Sequence, residues 1–429
     1  MPDRPPNLIF ILADDLGWGD LSCYGRPDYT TPQIDRLAAE GVRLTDCYSG
    51  SATCSPTRIA LMTGRYPARH PAGLPEPILP RFHGLEIGLE PEFPALPRLL
   101  GQAGYKTALI GKWHCGEPPR FSPLKSGFDE YFGLSGSGAG YFSYRDEEGR
   151  YLARDGEAAA DQSGYLTHAL TDRACAFIAR HRQEPFYLSL HYTAPHWPWE
   201  ADYQEDELHD RIATTGGGSP AIFAAMMRAL DDGVGRVLAT LAEHRLDGRT
   251  LIVFTSDNGG ERYSYHYPLT GHIRLLREGG IRVPGIARWP GKIPPRQVSP
   301  QMAITMDWTA TFLALAGTRA DERFPPDGED LMPVLTGARA AYERTLFWRT
   351  VRADAARRGP WKYFRNLDTG REYLFNLVRD IREYADFSTS HPEVFDGLKA
   401  AFKDWNDGVL PRPQPVKPVP MPHLEFDIY

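Results

Sequence analysis

The run Cys54-Ser55-Pro56-Thr57-Arg58-Ile59-Ala60-Leu61-Met62-Thr63-Gly64-Arg65 puts a thiol, a guanidinium and a helix start within one turn of each other. Ser51, Thr53 and Ser55 are small polar residues suited to a helix start. Pro56 suits the first helical turn, where its missing N–H costs nothing. Ile59 to Met62 continue the helix, and Gly64 is a natural stop. Cys54 is thereby expected near the positive end of a helix, with Arg58 one turn on and sharing its face. Such a site suits an oxyanion ester. Taken alone, a cysteine before a proline is more often a small buried residue than a nucleophile.

Three further clusters carry chemistry. Asp14-Asp15 follows the apolar run Asn7–Ala13, and Asp257-Asn258 follows Thr250–Thr255. Each pair by itself is an ordinary turn signal. Together they offer hard oxygen ligands at two strand ends, suited to calcium or magnesium rather than zinc. In Gly111-Lys112-Trp113-His114 an extended segment would point Lys112 and His114 to one side, a cation beside a group that titrates near neutrality. His196 stands in the Pro-flanked loop Thr193-Ala194-Pro195-His196-Trp197-Pro198. The Gly133–Gly138 stretch reads as a flexible loop, with Ser135 and Ser137 available to line a pocket. The aromatics Tyr141, Phe142, Tyr144, Trp197, Trp199, Tyr263, Tyr265 and Tyr267 are placed to flank a mouth, or else to pack in the core.

The elements that must position these groups alternate along the chain. Strands are expected at Asn7–Ala13, Val42–Cys47, Lys106–Ile110, Phe186–His191 and Thr250–Thr255. Helices are expected from a capped start at Thr31 to near Gly41, then at Ala95–Ala103, Leu166–His181 and Ala221–His244, the last with Asp232-Gly233 as an irregularity. The alternation predicts an α/β fold with a large, mostly parallel central sheet flanked by helices. In such sheets ligands gather at the carboxyl ends of strands, where the polar clusters fall. After about residue 335 the pattern shifts to short strands at Thr345–Trp348, Lys362–Phe364 and Tyr373–Leu377, then a helix at Glu393–Trp405 and a Pro-rich arm at Pro411–Pro422. The expected division is a catalytic domain over 1–334 and, over 335–429, a small antiparallel α+β subdomain with a four-stranded sheet.

Composition narrows the function classes. The 429 residues are 42% hydrophobic, enough for a sizeable core, and carry a net charge of −7 without a basic block. That argues against nucleic acid and against an anionic membrane surface, so anion specificity must come from a local site. Cys23, Cys47, Cys54, Cys115 and Cys175 are odd in number and lack C-x-x-C spacing, against a disulfide framework or structural zinc. The six apolar residues Leu8–Ala13 are too few for a signal peptide, and no stretch is long enough to span a bilayer, so a cytoplasmic location is expected.

The Cys-Ser-Pro-Thr-Arg run with Leu-Met-Thr-Gly-Arg resembles the signature of the type I sulfatases of the alkaline phosphatase superfamily. The resemblance implies that Cys54 is converted by a formylglycine-generating enzyme to formylglycine, whose hydrate attacks the sulfur of a sulfate monoester. It also implies a metal site of Asp14, Asp15, Asp257 and Asn258, with an oxygen from residue 54. Arg58 and Lys112 would hold the sulfuryl oxygens, His114 would handle a proton of the hydrate, and His196 would assist the leaving alcohol. The substrate would be an aryl or saccharide sulfate. The family commonly carries a lysine five residues before the Glu of Glu278-Gly279-Gly280-Ile281-Arg282-Val283-Pro284; here that position is Ile273, and His272 or Arg274 is expected to compensate. Two alternatives stay open: a phosphodiester or phosphonate monoester hydrolase of the same superfamily, and an unmodified anion-binding relative.

Overall fold

The computed structural model describes residues 4–79, 84, 86–160, 162–204 and 216–413. Its strands are β1 (Asn7–Ala13), β2 (Val42–Leu44), β3 (Cys47–Tyr48), β4 (Lys106–Gly111), β5 (Glu130–Leu134), β6 (Ala153–Asp155), β7 (Ala158–Ala159), β8 (Phe186–His191), β9 (Thr250–Ser256), β10 (Gly285–Arg288), β11 (Gln297–Ser299), β12 (Ala303–Ile304), β13 (Thr345–Arg349), β14 (Ala353–Arg358), β15 (Trp361–Asn366) and β16 (Glu372–Asn376). A ten-stranded sheet runs β11-β2-β10-β9-β1-β8-β4-β5-β6-β7. Its centre, β9-β1-β8-β4-β5, is parallel, while β10, β6 and β7 pair antiparallel.

β1 is apolar throughout because both of its faces are covered. Leu8, Phe10 and Leu12 face the helices Cys54–Thr63, Leu96–Gln102 and Thr305–Leu315, in one cluster with Ile59, Leu96 and Phe312. Ile9 and Ile11 face the helices Pro32–Ala39, Leu166–Arg180 and Pro220–Glu243, in a second cluster with Ile34, Leu170 and Val234. Each such side chain contributes roughly 1.5–3 kcal/mol on burial. The burial fixes β1 between β8 and β9, and with it the point where Asp14 leaves the sheet.

The expected fold class holds: a mostly parallel sheet with helices on both faces, and a separate antiparallel sheet β13-β14-β15-β16. One face of the small sheet packs Trp348, Phe364 and Phe375 against Tyr48, Ile281 and Ile304 of the main body. The other packs Ala356, Tyr363 and Leu374 against Leu398 and Phe402 of the helix Pro392–Asp407. The strand that periodicity did not single out is β14, whose Ala353-Asp354-Ala355-Ala356-Arg357-Arg358 holds helix formers. Pairing with β13 and β15 overrides that propensity. The Pro-rich stretch from Pro411 to Pro422 lies, past residue 413, outside the described residues.

Other local expectations are corrected. Val42–Cys47 is not one strand: β2 belongs to the large sheet and β3 pairs with β12, because Asp46 between them turns into a buried ion cluster. The helix Pro32–Ala39 is not capped by the Thr31 side chain. Asp231 of the long helix accepts from Gln33 N and Ile34 N at 3.1 and 2.8 Å and takes that role across the fold. Asp232-Gly233 causes no break in Pro220–Glu243. Gly233 is a close approach, since a Cβ there would lie 2.6 Å from Tyr192 Oη. No helix among the described residues is long and apolar enough to cross a membrane.

Candidate active site

The helix Cys54–Thr63 is buried along its whole length. Gly64 ends it in the left-handed region at φ 69°, its N–H donating to Ala60 O. Ile78 N donates to Ser55 Oγ at 2.6 Å and Thr309 Oγ1 to Leu61 O at 2.5 Å, which pin the helix at both ends. Cys54 is its first residue, and Cys54 Sγ lies 3.8 Å from Asp15 Oδ1. Burial pushes the thiol well above its ordinary value, so it holds no thiolate at neutral pH.

Arg58, one turn on, is fully buried and fully engaged. Its Nε and Nη2 donate to Asp257 Oδ2 at 3.0 and 2.8 Å, and its Nη1 donates to Lys112 O at 2.9 Å. Lys112 Nζ donates to Asp14 Oδ2 at 2.6 Å. Asn258 Nδ2 donates to Asp15 Oδ1 at 2.6 Å, and Asp15 N to Asp257 Oδ1 at 3.2 Å. Asp14, Asp15, Asp257 and Cys54 each offer a ligand atom, all within 4.8 Å of one another. Asp14 Oδ1, Asp15 Oδ2 and Asn258 Oδ1 are buried without a hydrogen-bond partner. Buried orphan oxygens on three residues are costly unless a cation meets them. Burial, and then the neighbouring carboxylate, pushes Asp15 and Asp257 up to about 6. The donor set is hard oxygen and fits calcium or magnesium. The cysteine sulfur is the odd member of it.

The histidines sit around this floor. The 111–114 segment is not extended: Gly111 has φ 119° and His114 φ 54°. Gly111 needs that freedom because a Cβ there would stand 1.8 Å from His191 O. His114 Nε2 donates to Ile78 O at 2.8 Å, which leaves His114 Nδ1 buried and unpartnered, a free lone pair. Burial, then Lys112, pushes this imidazole well below its ordinary value. His196 Nδ1 donates to Trp197 O, so its Nε2 faces Asp15 Oδ2 at 3.7 Å. Burial lowers His196 as well. The Trp197 indole stacks on the imidazole at 5.1 Å.

The structure thus gathers Asp14, Asp15, Cys54, Arg58, Lys112, His114, His196, Asp257 and Asn258 at the carboxyl ends of β1, β4, β8 and β9 and the start of one helix. The chain belongs to the sulfatase family. Its family model, described as Sulfatase, matches residues 6–318. The N-acetylgalactosamine-6-sulfatases of Canis lupus familiaris and Homo sapiens are each 34% identical, over 84% of this chain and 71% of theirs. Arylsulfatase A of Homo sapiens is 33% identical over 82% of this chain and 72% of its own. The crystal structure of Ps i-CgsB superposes with a TM-score of 0.86 at 30% identity, covering 96% of this chain and 95% of the other. The protein is a sulfuric ester hydrolase acting on sulfate esters.

The weaker expectations fall outside this floor. Ser137 lines a groove with Trp197, Glu117 and Arg150. His272 Nδ1 donates to its neighbour's carbonyl, Ile273 O, at 3.0 Å. Ile273 is buried, and Arg274 is exposed at φ 75°. Of the aromatic set, Tyr141, Phe142, Tyr144 and Trp199 are core residues, and Tyr267 is exposed. Two partners were missed. His191 Nδ1 lies 3.2 Å from Arg58 Nη1, signalled only by its place at the end of β8. Asp20, buried, accepts from Gly17 N and Tyr265 N at 2.7 Å each and so ties the 261–267 loop to the end of β1.

Proposed function

We propose that this sulfatase hydrolyses a carbohydrate sulfate, with residue 54 matured to formylglycine and a calcium ion, or magnesium in its place, held by Asp14, Asp15, Asp257 and Asn258. The observation that carries this reading is the buried carboxylate cluster with orphan oxygens directly in front of Cys54. A formylglycine in place of Cys54 would add the missing oxygen donor and a hydrated aldehyde as nucleophile, and the cation would supply Lewis-acid polarisation of a sulfuryl oxygen. N-acetylgalactosamine-6-sulfatase and the neocarrahexaose complex of Ps i-CgsB, at 29% identity and a TM-score of 0.85, support a sugar as the alcohol part.

The chain's own groups divide the remaining work. Arg58 and Lys112 neutralise Asp257 and Asp14 and keep the floor preorganised, so no reorganisation is needed when charge develops. Lys112 is fully buried beside residue 54 and meets a sulfuryl oxygen. His114 receives a proton on Nδ1, the one ring nitrogen left without a partner. His196 presents Nε2 towards the ester, and the negative charge of a bound sulfate opposes the burial that otherwise keeps it neutral.

The test is the mass of the peptide containing residue 54, from protein co-expressed with a formylglycine-generating enzyme, together with turnover of paired aryl sulfate, aryl phosphonate and 6-sulfated galactosamine saccharide. The expected result is an aldehyde mass and sulfate release from the saccharide. Cysteine mass with no turnover, or faster phosphonate cleavage, would overturn the reading.

A further inference from the structure

We infer that Glu76, half-buried beside the β13–β14 turn of the small sheet, is a positioning residue for His114: it holds the segment whose Ile78 carbonyl fixes the histidine's tautomer. The inference rests on the sulfatase reading above, in which His114 accepts a proton, and it gives the small sheet a part in that step. The chain of contacts starts at the imidazole. His114 Nε2 donates to Ile78 O at 2.8 Å, and that bond keeps the proton on Nε2 and the lone pair on the unpartnered Nδ1. Ile78 also donates its own N–H to Ser55 Oγ at 2.6 Å, next to Cys54. One residue's backbone thus sets two members of the site, the start of the Cys54–Thr63 helix and the histidine.

Two kinds of contact hold Ile78 where it does this. Its side chain belongs to the buried cluster that includes Leu61, Leu89 and Trp113. Apolar packing fixes where the residue sits but not which way its peptide groups turn, because it is non-directional. Direction comes from a polar tie two residues upstream. Both carboxylate oxygens of Glu76 accept from Val351 N at 3.1 Å, in the turn between β13 and β14. Burial pushes the Glu76 carboxyl up to about 7, opposed by the Val351 N–H and by Arg412 and Arg349. An apolar side chain would pack there without that cost, so what the carboxylate contributes is the directional bond. The anchor is itself fixed. Thr350 N donates to Ala353 O at 2.8 Å and Ala353 N to Thr350 Oγ1 at 3.0 Å, which closes the turn. Trp348 Nε1 of β13 donates to Ser49 O at 2.9 Å and ties the strand to the main body.

The experiment compares wild type with Glu76→Ala and Glu76→Gln, each alone and combined with His114→Ala, in protein co-expressed with a formylglycine-generating enzyme. The readouts are kcat and KM on an aryl sulfate, and nitrogen NMR of histidine-labelled protein, with the His114 signals assigned by their absence in His114→Ala. Glu76→Ala is expected to lower kcat about tenfold with KM within about twofold, because a proton acceptor is displaced and not a substrate contact. In the His114→Ala background the same change should cost less than about twofold, since the group it serves is gone. Glu76→Gln keeps an oxygen for the Val351 N–H and should return kcat to within about threefold of wild type. The wild-type spectrum should show the His114 proton on Nε2, and Glu76→Ala a mixture of the two tautomers. A wild-type kcat in Glu76→Ala, an equal loss with and without His114, or an unchanged tautomer would overturn the proposal. Glu76→Asp, one methylene short of Val351, gives the same readings where the alanine variant fails to fold. If wild type releases no sulfate from an ester, the sulfatase mechanism fails, while the tautomer still decides whether Glu76 holds His114.

Discussion

Two buried ionic clusters lie on either side of the short helix Glu278–Ile281, and they are built to opposite rules. The active-site cluster sets three carboxylates, Asp14, Asp15 and Asp257, against two cations, Arg58 and Lys112. The second, at the seam with the small sheet, sets Asp46, Glu278 and Glu383 against Arg282, Arg357 and Lys362. Lys362 Nζ lies 2.9 Å from both Glu278 Oε1 and Glu383 Oε1, and Tyr48 Oη donates to Glu278 Oε2 at 2.6 Å. Burial opposes the charge on Glu278, but Lys362, then Arg357 and Arg282, outweigh it and drive the carboxyl down to about 2. In the active site the balance runs the other way, and Asp15 and Asp257 stand near 6. Glu383, in the seam with Glu278, is raised by burial and its Oε1 has no hydrogen-bond partner, but three cations there match three carboxylates. A carboxylate in excess, with oxygens left over, leaves a cluster open to a cation.

The two are mechanically joined. Gly259 N donates to Gly280 O at 2.9 Å, so the turn headed by Glu278 backs the loop that carries Asp257 and Asn258. A Cβ on Gly259 would lie 1.9 Å from Gly279 O, and one on Gly279 would lie 2.2 Å from Gly271 O, which is why both positions are glycine.

The largest effect is expected at the seam. Lys362→Met leaves Glu278 and Glu383 buried without their shared partner and should cost about 3–5 kcal/mol of stability, read by denaturant unfolding. Added calcium should not restore it; restoration would erase the distinction between the clusters. At the active site, calcium should raise the stability of metal-free protein by about 3 kcal/mol at roughly 100 times its dissociation constant. In Asp15→Asn that increment should shrink or vanish, while the metal-free protein should unfold no more easily than wild type, since a repulsion has been removed. An Asp15→Asn variant with a full calcium response would show that the open cluster is not the cation site.

The smallest effect, and the sharpest in sign, is with pH. Asp15 and Asp257 are raised from 3.8 in the folded state, so in metal-free protein their contribution to stability is full below about pH 4 and is lost as pH rises through about 6. Glu278 is lowered from 4.5, so its contribution is full above about pH 4.5 and is lost as pH falls towards 2. Unfolding titrations of wild type and Asp15→Asn between pH 4 and 6 should therefore differ in slope, with stability changing more positively with rising pH in the variant. Equal slopes would remove Asp15 from the account.

Much of this was legible in the chain. The apolar runs of β1, β4, β8 and β9 marked buried parallel strands, because a strand covered on both faces has no polar positions to alternate. Pro56 and Gly64 bounded the helix that begins at Cys54 for equally local reasons. The carboxylates were visible as pairs at strand ends. What stayed hidden was set at a distance: β14 has helix-forming residues and is a strand because of its neighbours.

The sequence by itself determined the element types around the site and the residue types available to it, since strand burial, the helix limits at Pro56 and Gly64 and ligand hardness are properties of residues and their near neighbours. Only the tertiary structure decided which oxygens go unpaired, which nitrogen of His114 is free, that Asp231 caps a helix nearly 200 positions away, and that Arg274 rather than Ile273 faces outward. Those outcomes depend on which strand ends meet and on the hydrogen bonds each buried group finds there, and the chain specifies them only through the packing of the whole sheet.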